Sequence, residues 1–297
     1  MKKKIRIFET YHPFSLFTYF ISMLVISMFT VHPVMLLIAL LAGITFYICI
    51  ANVKEFFWGL LFQIPFFILI ALTNPLFSHN GATPLFFMNG NAVTLEAILY
   101  GVDIALMIIV VIYWCKCYSI IVDSEKFIYL FGKAIPKLSM VLSMALKFIP
   151  MFKKQMKKIS KAQKTLGYYS NDNMVDRLRN MMRVFSCMVT WSLEHAIALS
   201  KSMNGKGYGL KGRTHFHNFR FRRKDSVLLL VTIIMDVVVV SMMMIGISVF
   251  RFYPMISEIK YDTGNIIIYA AFAIMAFTPA FLEIKENLKW KYYVERI

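Results

Sequence analysis

Charge is scarce in this 297-residue chain: Asp, Glu, Lys and Arg make up 16%, against roughly 25% in ordinary soluble domains. Acids are scarcer still, 16 beside 33 basic residues. Four cysteines are too few for a disulfide-built secreted scaffold. Thirteen glycines exclude a collagen-like repeat, and nine prolines exclude a Pro/Gly-rich disordered chain. What is plentiful is oil. The residues AVILMFWYC make up 59% of the chain, and the mean hydropathy is +0.62. A soluble body this apolar would expose large patches and aggregate. Length alone suggests about two domains, but composition overrides it and points to an all-α integral membrane protein.

The basic excess has an address. Between Lys116 and Lys224 there are 22 basic and 5 acidic residues; elsewhere the two signs are equal, at 11 each. The chain is an oily body with one long basic insert.

The longest apolar run, Tyr11 to Val53, holds no Asp, Glu, Lys or Arg over 43 residues. One helix crosses the hydrocarbon core in about 20 residues, so this run holds two spans broken at His32-Pro33. They are read as Phe14–Val31 and Pro33–Asn52. Phe56–Leu72 is the third, followed by a loop to about Leu95 through Asn74-Pro75 and Gly81. Ala97–Trp114, Ser226–Phe250 and Gly264–Leu282 complete six. Met1–Thr10 is too charged, and the apolar run after it too long, for a cleaved secretory signal.

Basic residues orient the spans. Alternating sides from the N-terminus collects 31 basic residues on one side and only Arg251 and Lys260 on the other. The rich side is cytoplasmic. It carries both termini and residues 116–224. The division is a membrane part at 1–115, a cytoplasmic coupling module at 116–225, and a second membrane part with a cytoplasmic tail at 226–297.

Two stretches of the insert have helical periodicity. Phe148, Met151, Phe152, Met156, Ile159, Ala162 and Leu166 share one face, with Lys153, Lys154, Lys157, Lys158, Lys161 and Lys164 opposite. Pro136 suits the start of this helix, Pro150 should bend it, and Gly167 stands where a C-terminal cap is expected. Met174, Leu178, Met181, Phe185, Met188, Val189, Ala196, Leu199 and Met203 form a second stripe, with Asn171 or Asn173 as its N-cap. Gly205 and Gly207 follow its end. Each helix runs about 45 Å for roughly 30 residues. Such helices suit the inner leaflet, where acidic lipid attracts them, or docking against soluble partners through adaptable Met-rich faces.

Several motifs carry no chemistry. Gly207-Tyr208-Gly209-Leu210-Lys211-Gly212 spells G-x-G-x-x-G, but a helix precedes it where a dinucleotide site needs a strand. His215-Phe216-His217 and Cys115-Lys116-Cys117 have no further ligands to make a metal set. Asp103 and Asp236 fall within spans, and with no His or Arg relay they read as residues that sit near span ends or hydrogen-bond between helices. The basic excess follows the positive-inside rule and no nucleic-acid module is present, so no nucleic-acid partner is expected. No phosphate-binding loop or catalytic set appears, so an enzyme is disfavoured. A self-contained secondary transporter should show repeated halves around broken spans, and none is evident.

Five blocks together resemble one family, the transmembrane T component (EcfT/CbiQ-like) of energy-coupling factor (ECF) transporters. They are Asn74-Pro75-Leu76-Phe77 with Gly81; Thr94-Leu95-Glu96-Ala97 with Tyr100-Gly101; Pro136-Lys137-Leu138 leading to Phe148-Ile149-Pro150; Ile159 to Gly167; and Lys206-Gly207-Tyr208-Gly209 through Gly212-Arg213-Thr214. The resemblance implies a non-catalytic subunit of a bacterial vitamin or transition-metal importer. It implies two ABC-type ATPases as partners, which hold the ATP and Mg, and a small membrane subunit that captures the substrate. This chain itself is expected to hold no cofactor and no metal. In the family, two cytoplasmic helices end in Ala-Arg-Gly-like motifs that dock in ATPase grooves. The matching positions are Thr165-Leu166-Gly167, preceded by Lys164, and Gly205-Lys206-Gly207. The first lacks the Arg; the second has Lys without the bidentate fork. The exposed Met/Phe faces, with Phe148, Met151, Phe152, Met156, Met181, Phe185 and Met188, are expected to meet the substrate-binding subunit.

Overall fold

The computed structural model describes residues 6–51, 53–78, 80–88, 91–132, 135–167, 174–208, 210, 219–246, 250–259 and 262–294. Lys2 to Lys4, Asn171, Asn173, Gly209 and the segment 211–218, with Gly212-Arg213-Thr214 and both histidines of His215-Phe216-His217, lie outside them.

The helices are α1 (Pro13–Phe29), α2 (Pro33–Ile50), α3 (Val53–Phe77), α4 (Leu95–Ile121), α5 (Ser124–Gly132), α6 (Pro136–Thr165), α7 (Met174–Gly205), α8 (Arg223–Met244) and α9 (Thr263–Val294). Among the described residues the protein is all-α apart from one hairpin, β1 (Pro84–Met88) and β2 (Asn91–Thr94), paired antiparallel. α2, α3, α4, α8 and α9 are long and apolar enough to cross a membrane. α1 is apolar with 17 residues, the lower end of the roughly 17–25 residues a span needs. The chain forms two compact units, Met1–Phe127 with Phe219–Ile297, and Ile128–Asn218.

Prolines set two helix starts: Pro13 and Pro33 stand in the first turn, where a missing N–H costs nothing. Four span ends differ from the sequence reading: α8 stops at Met244, short of Phe250, where Gly246 turns the chain in the left-handed region, and three others run on. α3 continues past Leu72 to Phe77, with Pro65 and Pro75 inside it. The carbonyls that prolines free are satisfied by neighbours in a membrane helix. α4 runs past Trp114 to Ile121, and α9 past Leu282 to Val294, because a helix does not stop where its apolar face does. The loop read between spans three and four contains the hairpin, and α5 follows α4 where no element was expected.

The core of the first unit is aromatic. Trp114 is fully buried, with ring centroids 6.0 Å from Tyr19, 6.3 Å from Phe20 and 6.2 Å from Phe46. Its Nε1 donates to the Ala39 carbonyl at 3.2 Å. With lipid outside, packing of this kind rather than water exclusion holds the helices together. Lys116, at the basic end of α4, sits 5.8 Å from the Tyr47 ring and 5.5 Å from the Tyr113 ring, within cation–π range. The intramembrane Asp236 accepts a hydrogen bond from Ser22 Oγ, joining α8 to α1. Asp103 is buried, and its Oδ1 has no hydrogen-bond partner among the described residues.

The first two family-like blocks fold into one cluster where α3 meets α4. Asn74 Nδ2 donates to the Ala97 carbonyl at 2.7 Å and to Tyr253 Oη at 3.4 Å. Glu96 is buried and accepts from Thr83 N at 3.2 Å and Thr83 Oγ1 at 2.9 Å. Thr94 caps α4 by accepting from Ala97 N and donates to the Asn80 carbonyl. Gly101 is required by proximity: a Cβ there would lie 2.5 Å from the Ala71 carbonyl oxygen. Backbone cannot rotate aside as a side chain does. Gly101→Ala should therefore push α3 from α4 and cost about 1–3 kcal/mol. A lowered melting temperature of the detergent-purified protein is the expected reading; an unchanged one would show that the two helices part freely.

Candidate functional site

The second unit is built on α6 and α7. Pro136 opens α6 at its first position, as expected, and the helix continues through Pro150 for 30 residues. Phe148 meets His195 with centroids 5.5 Å apart, and Phe152 meets Trp191 at 5.5 Å. Residues advancing along α6 thus pair with residues receding along α7, so the two helices run antiparallel. Phe148 stacks on Phe152 at 5.8 Å, and Trp191 lies 5.2 Å from His195, closing an aromatic cluster. Further along, Gln163 and Val184 are buried, and Gln163 Nε2 approaches Cys187 Sγ at 4.0 Å.

Beside that cluster the helices leave a groove of about 920 Å³. Met156, Met181, Phe185 and Met188 line it together with Phe152. Lys157, Lys161 and Lys164 stand along the α6 side. The groove is far from closed: Met181 and Phe185 are 66% and 63% exposed. Five of the seven Met and Phe residues singled out from the sequence thus meet at one surface. The other two do not line it; Phe148 packs in the aromatic cluster, and Met151 is half-buried. Trp191 and His195 were missed by the sequence reading. They follow Met188 at i+3 and i+7, a spacing that carries the signal, but their polar atoms hid them from an apolar stripe.

The two helix ends are built alike. At the end of α7, Tyr208 N donates to the Met203 carbonyl at 3.1 Å and Gly207 N to the Asn204 carbonyl at 3.0 Å. These are the two bonds of a Schellman turn, with Gly207 in the left-handed region at φ 73°. At the end of α6, Gly167 N donates to the Lys164 carbonyl at 3.1 Å, with Gly167 at φ 79°. Only glycine takes this conformation without strain. Leu166 and Lys206 therefore occupy the same position, the last residue before the left-handed glycine. Both are exposed, Leu166 by 70%. A Cβ on Gly167 or on Gly205 would meet nothing within 4 Å. Lys164 and Lys206 also stand where a helix's C-terminal dipole favours a cation. The literal G-x-G-x-x-G starts inside this helix-ending turn, not after a strand.

Because α6 and α7 are antiparallel, their C-terminal turns lie at opposite ends of the pair. Roughly 30 helical residues at 1.5 Å each separate them by about 40 Å along the axis. The second unit thus presents two similar knobs, far apart, with an open apolar groove between them.

The chain is similar in sequence to known proteins. The family CbiQ, cobalt transport protein, matches residues 10–216. The chain is 33% identical over 98 residues to the energy-coupling factor transporter transmembrane protein EcfT of Listeria innocua, which covers 32% of this chain and 37% of that relative. It thus spans well under two thirds of that protein's length. It is 24% identical over 212 residues to EcfT 1 of Listeria monocytogenes, across 67% of this chain and 77% of the relative. It is 24% identical over 222 residues to EcfT of Staphylococcus aureus, across 70% and 82%. The family match extends from just before α1 to beyond the end of α7, taking in most of the chain, the hydrogen-bonded α3–α4 cluster and both helix-ending turns. The chain belongs to the CbiQ family, the transmembrane components of energy-coupling factor transporters.

Proposed function

We propose that this chain is the energy-coupling subunit of an ECF-type importer of a vitamin or a transition metal, in a bacterial cell membrane. Two cytoplasmic ATPases bind ATP and Mg and take one helix end each. A separate small membrane protein holds the substrate and covers the Met/Phe groove. The termini and residues 116–224 face the cytoplasm, as the distribution of basic residues favours.

One observation carries this reading: two helix ends of the same backbone design stand at opposite ends of one antiparallel pair. A single partner would need one knob; a pair of like ATPases needs two. The Lys164–Leu166–Gly167 end offers a leucine with a nearby lysine, and the Gly205–Lys206–Gly207 end offers a lysine. One groove is then contacted through apolar packing and the other through a charge-assisted bond. Phe152, Met156, Met181, Phe185 and Met188 give a polarizable surface that repacks around partners of differing shape.

Affinity purification of the tagged full-length chain from its native membrane tests this. Two ABC-type ATPases should come down with it, and the complex should hydrolyse ATP. The chain stripped of them should not. Robust hydrolysis by the chain alone, or a pull-down without ATPases, would overturn the reading.

A further inference from the structure

The chain crosses between the two compact units twice, at Phe127/Ile128 and at Asn218/Phe219. Just on the first unit's side of each crossing stands a buried charged residue, Lys126 and Asp225, 6% and 3% exposed. Both are bonded to the same short N-terminal segment. Lys126 Nζ donates to the Glu9 carbonyl at 2.6 Å and to the Ile121 carbonyl, at the end of α4, at 2.8 Å. Asp225 accepts from His12 N through Oδ1 at 2.8 Å and from Arg222 N through Oδ2 at 2.7 Å. Ser15 Oγ donates to the Asp225 carbonyl at 3.2 Å. A third buried charged residue, Glu283 of α9, accepts from Phe8 N at 2.8 Å.

Between these bonds the segment is pinned by its own side chain. Phe8 is fully buried, with ring centroids 5.5 Å from Tyr11, 5.6 Å from Tyr19, 6.2 Å from Phe20 and 5.6 Å from Phe46. Burying three charged side chains in one small region is costly unless each finds hydrogen bonds. Burial lowers the Lys126 ammonium from its ordinary value, while Glu9 and Asp123 act in the opposite direction. Helix capping accounts for one bond of Asp225, that from Arg222 N. It does not account for Lys126 and Glu283 reaching the backbone of residues 8 and 9, more than a hundred positions away in sequence.

We propose that Phe8–His12 is a clasp that fastens both crossings to the first unit, and that Lys126, Asp225 and Glu283 are positioning residues for coupling. This rests on the energy-coupling role above: a unit pushed by ATPases passes on its motion only if the chain segments that attach it do not yield. The 121–127 and 219–226 segments are both tied to this one stretch, through Lys126 to Glu9 and through Asp225 to His12. The clasp makes the two attachments one, so that loosening either loosens the other.

That last consequence gives the test. Hydrogen exchange is measured on the full chain in lipid nanodiscs, with Lys126→Met against wild type. Amides at 8–12 and at 222–226 should exchange faster, though it is Glu9, in the first set, that Lys126 bonds, while α2 is unchanged. Unchanged exchange at 222–226 would sink the clasp, whatever the partners prove to be. Glu283→Ala should give the same pattern, and Glu283→Gln, which keeps an accepting oxygen for Phe8 N, should restore it. In proteoliposomes holding the complex with its ATPases, Lys126→Met should lower substrate taken up per ATP hydrolysed by about fivefold or more, the scale of ordinary coupling energies. A loosened clasp with an unchanged ratio would overturn the positioning role. Failure of the wild-type chain to bind ATPases would instead remove the function reading, and leave the exchange result to decide the clasp alone.

Discussion

Lys206→Glu is expected to abolish docking of one ATPase, whereas Lys206→Arg should preserve or strengthen it. Lys206 is exposed and immediately precedes the left-handed Gly207 in the turn that ends α7. A groove that accepts it must supply acid. Reversing the charge places like charges together, and losing such a buried pair costs about 2–5 kcal/mol. That corresponds to roughly 30-fold or more in affinity. Arginine keeps the charge and adds a planar fork able to hold a carboxylate with two bonds. The other end should behave differently. Leu166→Arg at the equivalent position should leave assembly intact, or tighten it where the facing groove keeps an acid. Titration of the purified ATPases against each variant, read by size exclusion and by uptake into vesicles, separates these outcomes. Wild-type assembly in Lys206→Glu would show that this residue is not the contact.

Trp114→Ala should be the most damaging single change in the first unit. The indole is fully buried at the centre of the aromatic cluster, and Nε1 is bonded to the Ala39 carbonyl. A Cβ on Gly43 would come within 3.3 Å of that nitrogen, which shows how tightly α2 and α4 enclose it. Removing a buried Trp leaves a cavity and costs about 3–5 kcal/mol. Lipid cannot fill a void at the bundle centre, so the lost contacts with Tyr19, Phe20 and Phe46 are not recovered. Trp114→Phe should recover much of the packing. Thermal unfolding in detergent should rank wild type above Phe above Ala; an Ala variant as stable as wild type would mean the cluster is not the centre of stability.

Much of the architecture was legible in the sequence because a bilayer demands it. A run of 43 residues without formal charge has few alternatives to two spans. The positions of Pro33 and Pro136 marked helix starts that the structure bears out. Gly167 and Gly207 marked two helix ends, since a left-handed turn needs glycine. The Met and Phe positions at helical spacing led to five residues that do line one groove. Span ends were less legible. Hydropathy falls where α4 and α9 leave the apolar layer, but the helices go on, as backbone hydrogen bonds do not depend on side-chain polarity.

Sequence alone determined the class, the count of apolar segments and the place of the basic insert, because each follows from local composition repeated over many residues. Tertiary structure decided what single polar residues are for. Nothing local tells Lys126 from the 32 other basic residues, or Asp225 and Glu283 from the 14 other acids. Their roles come from partners at residues 8, 9 and 12, brought near by folding. It also gave Leu166 and Lys206, matched by motif in the sequence, the same backbone setting before a left-handed glycine, and put them at opposite ends of one pair. Their side chains share no chemistry, and only the direction in which α7 packs on α6 sets where each end points.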